Sequence, residues 1–471
     1  MDKFYITTAI DYINGKPHIG HSLEKVAADV LARFYANKIG RDNVRYVTGT
    51  DEHGAKIAQY AEKENLEPQA FADRNSAYFS FAWDQLNVQY DRFVRTTDAD
   101  HEQTVKDLVT KMKDNGFLYE GEYEGLYCVG HEAFLTDKDL VDGVCPDHQT
   151  KPELVKEKNW FLKISAFSDK IKTAIEKDEL LVWPESRKHE ILSLLNQGFT
   201  DIAISRPNVK WGIPLPWDET QTIYVWVDAL INYYTAADGF WPASAHVIGK
   251  DILKFHAVIW PAMLLAADLP LPKAVITHGY LTAGNQKISK SLGNIIDPND
   301  WVAKYGSDAV RYFLLREFPF SEDGDVSEEK IRARYEGDLA NGLGNLVSRI
   351  TTLVEKNLDG VFPEGTKGFT APGDEISPLV EQYKFHEALA MIWHYVAWAN
   401  KTVDENKLWE LAKTDLPKFT EVSKQVIDVL EIIAKSLVPF MPETSQKILA
   451  AVTADKIVKA EPLFPRIENA D

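Results

Sequence analysis

Cysteine is almost absent: Cys128 and Cys145 are the whole complement of a 471-residue chain. A disulfide framework is thereby excluded, since such a framework needs paired thiols throughout a small, loop-rich fold. Positive charge is also short, with 52 Lys and Arg against 71 Asp and Glu and a formal net charge of −19 at pH 7. Sequence-blind affinity for nucleic acid comes from neutralising phosphates, so a protein that coats DNA or RNA is excluded. A local RNA site is not, and it would act through a few base and shape contacts. No apolar run is long enough to cross a bilayer, and Met1-Asp2-Lys3-Phe4-Tyr5-Ile6 lacks the basic and apolar regions of a signal peptide. A cytoplasmic location with no membrane partner is expected. Neither repeats nor a low-complexity tail are present, and 45% hydrophobic with 26% charged residues is the balance of a globular protein.

The organising stretch is Tyr12-Ile13-Asn14-Gly15-Lys16-Pro17-His18-Ile19-Gly20-His21. Phe4 to Ile10 reads as a buried strand, Asn14-Gly15 and Pro17 punctuate a turn, and Ile19, Leu23, Val26, Val30 and Phe34 recur at helical spacing. In a parallel α/β sheet, ligands collect beyond the carboxyl ends of strands, where helix amino termini offer backbone N–H groups to anions. A phosphate is therefore expected here. Gly20 has no side chain to hold a flat base away, and His18 and His21, three apart, can reach one phosphate. Alone, the tetrad fits two surface histidines equally well.

Arg45 to Gly49 reads as a second strand, with Ala27 to Gly40 as the crossover helix. It runs into Thr48-Gly49-Thr50-Asp51-Glu52-His53-Gly54, where Asp51 suits either a substrate ammonium group or a helix N-cap. Past Gly116 two short strands, Leu118 to Gly121 and Gly125 to Cys128, precede Cys128-x-x-His131 and Cys145-x-x-His148. Two such knuckles suit one tetrahedral zinc ion with two thiolates and two imidazoles, closed and therefore structural. Thr222 to Val227, His246 to Asp251 and Ala274 to His278 read as further strands, with a helix through Phe255, His256, Trp260 and Leu264. Beyond them Lys287-Ile288-Ser289-Lys290-Ser291, beside Gly284 and Gly293, suits a mobile clamp that brings cations onto a phosphate. From Asp338 onward the pattern is helical. Val422, Val426, Val429, Ile433 and Leu437 mark one apolar face, and Leu379, Tyr383, Ala388, Ile392, Tyr395 and Ala399 another, with the Gly- and Pro-rich stretch 360–374 as a connection.

With H-I-G-H near the amino terminus and K-I-S-K-S far downstream, the chain resembles the class I aminoacyl-tRNA synthetases, Ile288 standing where the second motif usually has methionine. The finer resemblance is to the methionyl-tRNA synthetase family over essentially the whole chain. It rests on Tyr12 to His21, Gly49 to Gly54, Val225-Trp226-Val227-Asp228-Ala229, Ile248-Gly249-Lys250-Asp251-Ile252 with Phe255-His256, His278-Gly279-Tyr280-Leu281, Gly344 to Arg349, and Leu408-Trp409. Leucine-, isoleucine- and valine-specific relatives carry large editing insertions in the first crossover, whereas this insert is short.

The resemblance implies an α/β fold: a Rossmann-type parallel sheet split by a zinc-knuckle connective insertion, followed by an all-α anticodon-binding helix bundle. The expected segments are 1–115 and 206–285 for the two sheet halves, 116–205 for the insertion, 286–340 for the lysine-motif and stem-contact region, and 341–471 for the bundle. It implies activation of L-methionine with ATP and Mg²⁺ and transfer to tRNA(Met), with no DNA partner. The chain's end at Asp471, soon after the bundle, gives the expectation of a monomer. Ile10, Tyr12, Trp226, Ala229, Leu230, Tyr233, Ile252 and His256 would line the methionine pocket, with Asp51 on the ammonium group. Aromatic rings contact sulfur favourably, and a tyrosine hydroxyl can donate to a thioether. Glu24 and Asp251 would hold the ribose, Gly20 and the backbone around Leu281 the adenine, and Gly249 and Ser289 other parts of ATP. His18, His21, Lys287 and Lys290 would surround the phosphates as the catalytic set. Asn345, Arg349 and Trp409 would read the anticodon, and Cys128, His131, Cys145 and His148 would hold zinc.

Overall fold

The apolar start of the chain becomes β1 (Phe4–Thr8), a strand buried at every residue. Side chains buried on both faces are what a parallel sheet requires. The computed structural model describes residues 2–128, 133–135, 140–141, 143–146, 150–207, 209–288, 293–370 and 373–467. Two units emerge. The first takes Met1–Pro17, Ile39–Asp84 and Gln89–His278, and the second takes His18–Lys38, Gln85–Val88 and Gly279–Asp471.

After β1 the chain runs through β2 (Asp11–Tyr12), α1 (Ile19–Ile39), β3 (Val44–Asp51), α2 (Ala55–Lys63), α3 (Pro68–Gln85), β4 (Arg92–Arg95) and α4 (Ala99–Asp114). Next come β5 (Leu118–Cys128), β6 (Ala133–Leu135), β7 (Glu153–Leu162), α5 (Ser168–Glu176), β8 (Leu181–Trp183), α6 (Glu185–Asn196), β9 (Ile202–Ala203), β10 (Ser205–Pro207), β11 (Pro214–Leu215) and β12 (Asp218–Ile223). α7 (Val225–Thr235), β13 (Ala245–Gly249), α8 (Trp260–Ala266) and β14 (Ala274–His278) complete the first unit. Among the described residues its main sheet has seven strands in the order β2-β3-β1-β13-β14-β8, with β4 on β3, and every pairing is parallel. Because β1 lies between β3 and β13, the chain leaves it in both directions, and such a switch point opens a crevice at the carboxyl ends. Asp51 and Gly249 are the last residues of β3 and β13, and Tyr12 pairs in register with Asp51.

Two local expectations are corrected. The run Thr222 to Val227 is not one strand: β12 stops at Ile223, and Trp226, Val227 and Asp228 lie in α7. The two short strands past Gly116 are one, because β7 pairs with β5 continuously from Leu118↔Leu162 to Tyr127↔Glu153, through both glycines.

The second unit holds α1, β15 (Leu281–Ala283), β16 (Gln286–Lys287), α9 (Pro298–Tyr305), α10 (Ser307–Arg316), β17 (Gly324–Val326), α11 (Glu328–Arg334) and α12 (Asn345–Leu358). It ends with α13 (Ser377–Glu381), α14 (Phe385–Glu405), α15 (Leu408–Thr414), α16 (Leu416–Leu437) and α17 (Pro442–Val452). α16 buries the expected Val422, Val426, Val429, Ile433 and Leu437, and the Asp415 carboxylate caps its start by accepting from the Lys418 N–H. The other expected face is interrupted: Tyr383 takes a left-handed conformation, φ 63°, between α13 and α14, so Leu379 and Ala388 belong to different helices.

Arg311 of α10 is fully buried. Its guanidinium meets Asp29 Oδ2 of α1 at 2.6 Å and donates to the carbonyls of Leu86, Asn87, Pro439 and Phe440. A buried charge is tolerable only when paired and hydrogen-bonded on every side, and this one is. Among the described residues no helix is long and apolar enough to cross a membrane.

Candidate functional site

In the first unit four of the expected amino-acid residues lie on α7, and a fifth, His256, meets it through Tyr233. Trp226, Ala229, Leu230 and Tyr233 fall at i, i+3, i+4 and i+7, one stripe of the helix. Tyr233 is buried, and its hydroxyl lies 2.7 Å from His256 Nε2. His256 Nδ1 is 2.9 Å from the Ile252 carbonyl, which can only accept. Nδ1 therefore carries the proton in the neutral ring, and Tyr233 donates to Nε2. The single hydroxyl proton of Tyr233 is thus engaged by His256. His246 lies behind the pair, its ring 4.4 Å from that of Tyr233, and it bonds Thr7 Oγ1 and the Trp260 indole N–H. Burial, with His256 nearby, holds the His246 imidazole well below its usual pKa.

Ile10 and Tyr12 are half-buried near the end of β1 and in β2, and Asp51 is a buried strand end rather than a helix cap, the α2 cap being Gly54. Ile252 belongs to a single turn after β13, and His256 to a widened helical turn over Phe255–Ile259. Phe255, not among the expected site residues, stacks on Trp226 with centroids 4.3 Å apart. Asp251 is exposed.

In the second unit His18 precedes α1 and His21 lies in its first turn, with ring centroids 3.9 Å apart. The His18 backbone N–H donates to His21 Nδ1 and the Gly20 N–H to His18 Nδ1, both at 3.1 Å. Both Nδ1 atoms are acceptors, so each neutral ring carries its proton on Nε2. Burial pushes His18 down to about 4, which leaves its ring neutral at pH 7. Gly20 acquires a second reason for being glycine, because a Cβ there would lie 2.8 Å from His18 Cε1. Glu24 is buried against Lys25, Oε1 to Nζ 2.6 Å.

The lysine motif follows a two-residue hairpin. Gly284 and Asn285, both at positive φ, join β15 to β16 with Thr282 opposite Lys287. Asp325 pins the turn by accepting from the Asn285 N–H at 2.6 Å and the Thr282 hydroxyl at 3.0 Å, and the Asn285 bond is the main cause of its lowered pKa. Leu281 is buried and Lys287 exposed, whereas Ser289 and Lys290 lie outside the described residues. The first N–H of α1, on Ile19, donates to the Ile296 carbonyl just beyond this motif, 2.9 Å.

The three expected anticodon residues do come together. Asn345 and Arg349 of α12 and Trp409 of α15 line an open groove of about 580 Å³ with Ser348, Thr352, Leu353 and Lys459. The Arg349 guanidinium lies 4.9 Å from the Trp409 ring centre and is held by Asp404 at 2.6 Å. Leu408 is fully buried and Trp409 is 40% exposed, so the dipeptide divides into an anchor and a face open to solvent.

The family profile described as tRNA synthetases class I (M) matches residues 4–153 and 138–351. The chain belongs to this family. It is 41% identical, over 99% of its length and 79% of the relative's, to the methionine–tRNA ligase of Caldanaerobacter subterraneus subsp. tengcongensis. It is 40% identical to that of Brucella suis over 100% and 99% of the two chains. Among solved structures it superposes on Mycobacterium tuberculosis methionyl-tRNA synthetase in complex with methionyl-adenylate with a TM-score of 0.90, at 39% identity over 96% of this chain and 94% of that one. The fold of this class I synthetase is accordingly the Rossmann-like parallel sheet with a helical carboxyl-terminal region.

Of the expected zinc ligands, Cys128 and Cys145 are buried and not joined in a disulfide, while His131 and His148 lie outside the described residues. No group of three metal-binding side chains occurs among the described residues. Reading the sequence missed Phe255, Asp325, Lys459 and the polar cluster behind α7. Only the last had a usable signal: the spacing of 226, 229, 230 and 233 is helical, which places Asp228 on the opposite side.

Proposed function

We propose that this chain activates L-methionine with ATP, giving methionyl-adenylate and pyrophosphate, and then transfers the methionyl group to the 3′ terminal adenosine of tRNA(Met). The observation that carries the reading is the α7 stripe, four side chains of apolar or aromatic character with Tyr233 locked on His256. Such a wall suits a long, polarisable, unbranched side chain, with sulfur against aromatic rings.

A methionine carboxylate oxygen bonds to the α-phosphorus of ATP, supplied as its magnesium complex, while the bond to the bridging oxygen breaks and pyrophosphate leaves. A ribose hydroxyl of the tRNA then attacks the acyl carbon and AMP leaves. Neither step needs a side-chain nucleophile, so catalysis rests on alignment and on charge placed where it develops. Asp51 holds the ammonium group. His18, neutral at pH 7 with its proton on Nε2, and His21 beside it donate to phosphate oxygens, and Lys287 and Lys290 neutralise the pentacoordinate phosphorus. Glu24 and Asp251 hold the ribose, Gly20 and the backbone around Leu281 the adenine, and Gly249 and Ser289 other parts of ATP.

The groove of Asn345, Arg349 and Trp409 reads the anticodon, with a splayed base on the open indole face and base edges on the amide and guanidinium. The two buried thiols suit a soft divalent ion, and Cys128, Cys145, His131 and His148 would hold a structural zinc that adds folding energy to the insertion and takes no part in the reaction.

Methionine-dependent exchange of pyrophosphate into ATP tests the reading. Exchange with methionine alone among the amino acids is expected, and exchange with another amino acid, or none, overturns it. Lys290→Ala should lower adenylate formation about 10²-fold or more with little change in methionine affinity, as expected for a group acting in the transition state. Equal loss of both would remove Lys290 from that role.

A further inference from the structure

Asp228 belongs to none of the roles above, yet it is among the most completely buried carboxylates of the first unit, and both of its oxygens are engaged. Oδ2 lies 2.7 Å from His53 Nδ1, and Oδ1 lies 2.7 Å from His101 Nε2. The two imidazoles come from different directions. His53 stands two residues past Asp51, in a loop whose Glu52 is fixed by two bonds from Arg95 and one from Thr97. His101 lies in the first turn of α4, and its Nδ1 reaches Thr235 Oγ1 at 3.0 Å.

Helical geometry gives the arrangement its meaning. Asp228 and Thr235 are seven residues apart, hence on one stripe of α7, and that stripe is opposite the one carrying Trp226, Ala229, Leu230 and Tyr233. One imidazole, His101, therefore grips the back of the helix two turns apart, while His53 ties the same carboxylate to the strand end that carries Asp51. Sliding or rotating α7 would break these bonds, and the two to Asp228 are buried, where an unmade bond is most costly.

We propose that Asp228 is a positioning residue, and that the His53–Asp228–His101 clamp sets the register of the α7 wall against the Asp51 loop and so fixes affinity for the amino acid without touching it. The charges agree with the geometry. Burial alone would favour the neutral acid, but the two imidazoles hold the Asp228 carboxyl below the ordinary range, and its charge lifts His53 above the usual imidazole value against burial. A merely structural carboxylate would affect folding and both substrates alike; a register clamp affects one.

The inference rests on the proposed activation of methionine and is tested by exchange kinetics with each substrate varied separately. Asp228→Asn keeps the shape and loses the charge, and His101→Phe removes both bonds to α7 with a ring of similar bulk. Each should raise the KM for methionine about tenfold while the KM for ATP stays within about twofold, and the double variant should cost no more than the worse single one, as for groups acting as a unit. Should Asp228→Asn not fold, His101→Phe and His53→Gln carry the same expectation. A fall in thermal stability with both KM values unchanged, or a parallel rise in both, overturns the clamp. Absence of methionine-dependent exchange in the unsubstituted chain overturns the reading of the site itself.

Discussion

The wall on α7 and the groove on α12 are both built from helix residues at i, i+3, i+4 and i+7, yet they are held in opposite ways. Behind and beside the wall, Tyr233, His256, His246 and Asp228 are buried and each is bonded to a named partner. On the groove, Trp409 is open to solvent, and Arg349 is held by one ion pair to an exposed Asp404 and by its contact with the indole. A site that must tell one side chain from others by shape gains from having a single conformation, because its buried polar groups then reject what does not fit. A site that meets a nucleotide brought in by a flexible loop gains from side chains free to adjust, since stacking tolerates small displacements.

The sharpest way to break the contrast is at His256. His256→Ala removes the acceptor of a buried hydroxyl and leaves a cavity, so chemical denaturation should show a loss of about 2–4 kcal/mol. A loss below about 0.5 kcal/mol would mean that the wall is no more rigid than the groove. Next in size, Trp409→Ala should weaken tRNA binding by about 1–3 kcal/mol, read as the KM for tRNA, and leave methionine-dependent exchange and thermal stability unaltered. A comparable loss of thermal stability would show the indole to be a packing element. The smallest effect is on pH dependence. His246 binds its proton far less readily folded than unfolded, so stability should be full above pH 6.5 and fall by up to about 1.4 kcal/mol per unit as the pH drops below it. His246→Asn should flatten that slope in acid denaturation curves, whereas substitutions in the groove should leave it as it is.

Strong periodicity made much of this architecture readable. The strand at Phe4, the helix from Ile19 and the α16 stripe follow from runs and spacings that admit one reading, and the motif pair H-I-G-H and K-I-S-K-S pointed to the family that the whole-chain similarity established. The α7 segment failed for a physical reason: Thr222 to Val227 is rich in β-branched and aromatic residues, and short apolar runs do not separate a strand end from a buried helix start. Helical spacing sets Asp228 on the back of α7, but its partners were hidden, because the clamp joins positions 53, 101 and 228 and no local pattern couples residues so far apart. Likewise the histidines' tautomers depend on backbone N–H groups, which sequence does not orient.

Arg311 carries a consequence for synthesis. The three chain segments of the second unit all supply it with acceptors: Asp29 from the first, Leu86 and Asn87 from the second, and Pro439 and Phe440 from the third. On a ribosome adding about 5–20 residues per second, Asp29 emerges roughly 20–80 s before the last acceptors of Arg311 exist. During that interval the Asp29 carboxylate of α1, which also pairs with Arg33, waits for Arg311, and Arg311 then waits for the Pro439 and Phe440 carbonyls. Premature termination anywhere before residue 440 should therefore yield not a smaller working enzyme but a client for chaperones and proteases.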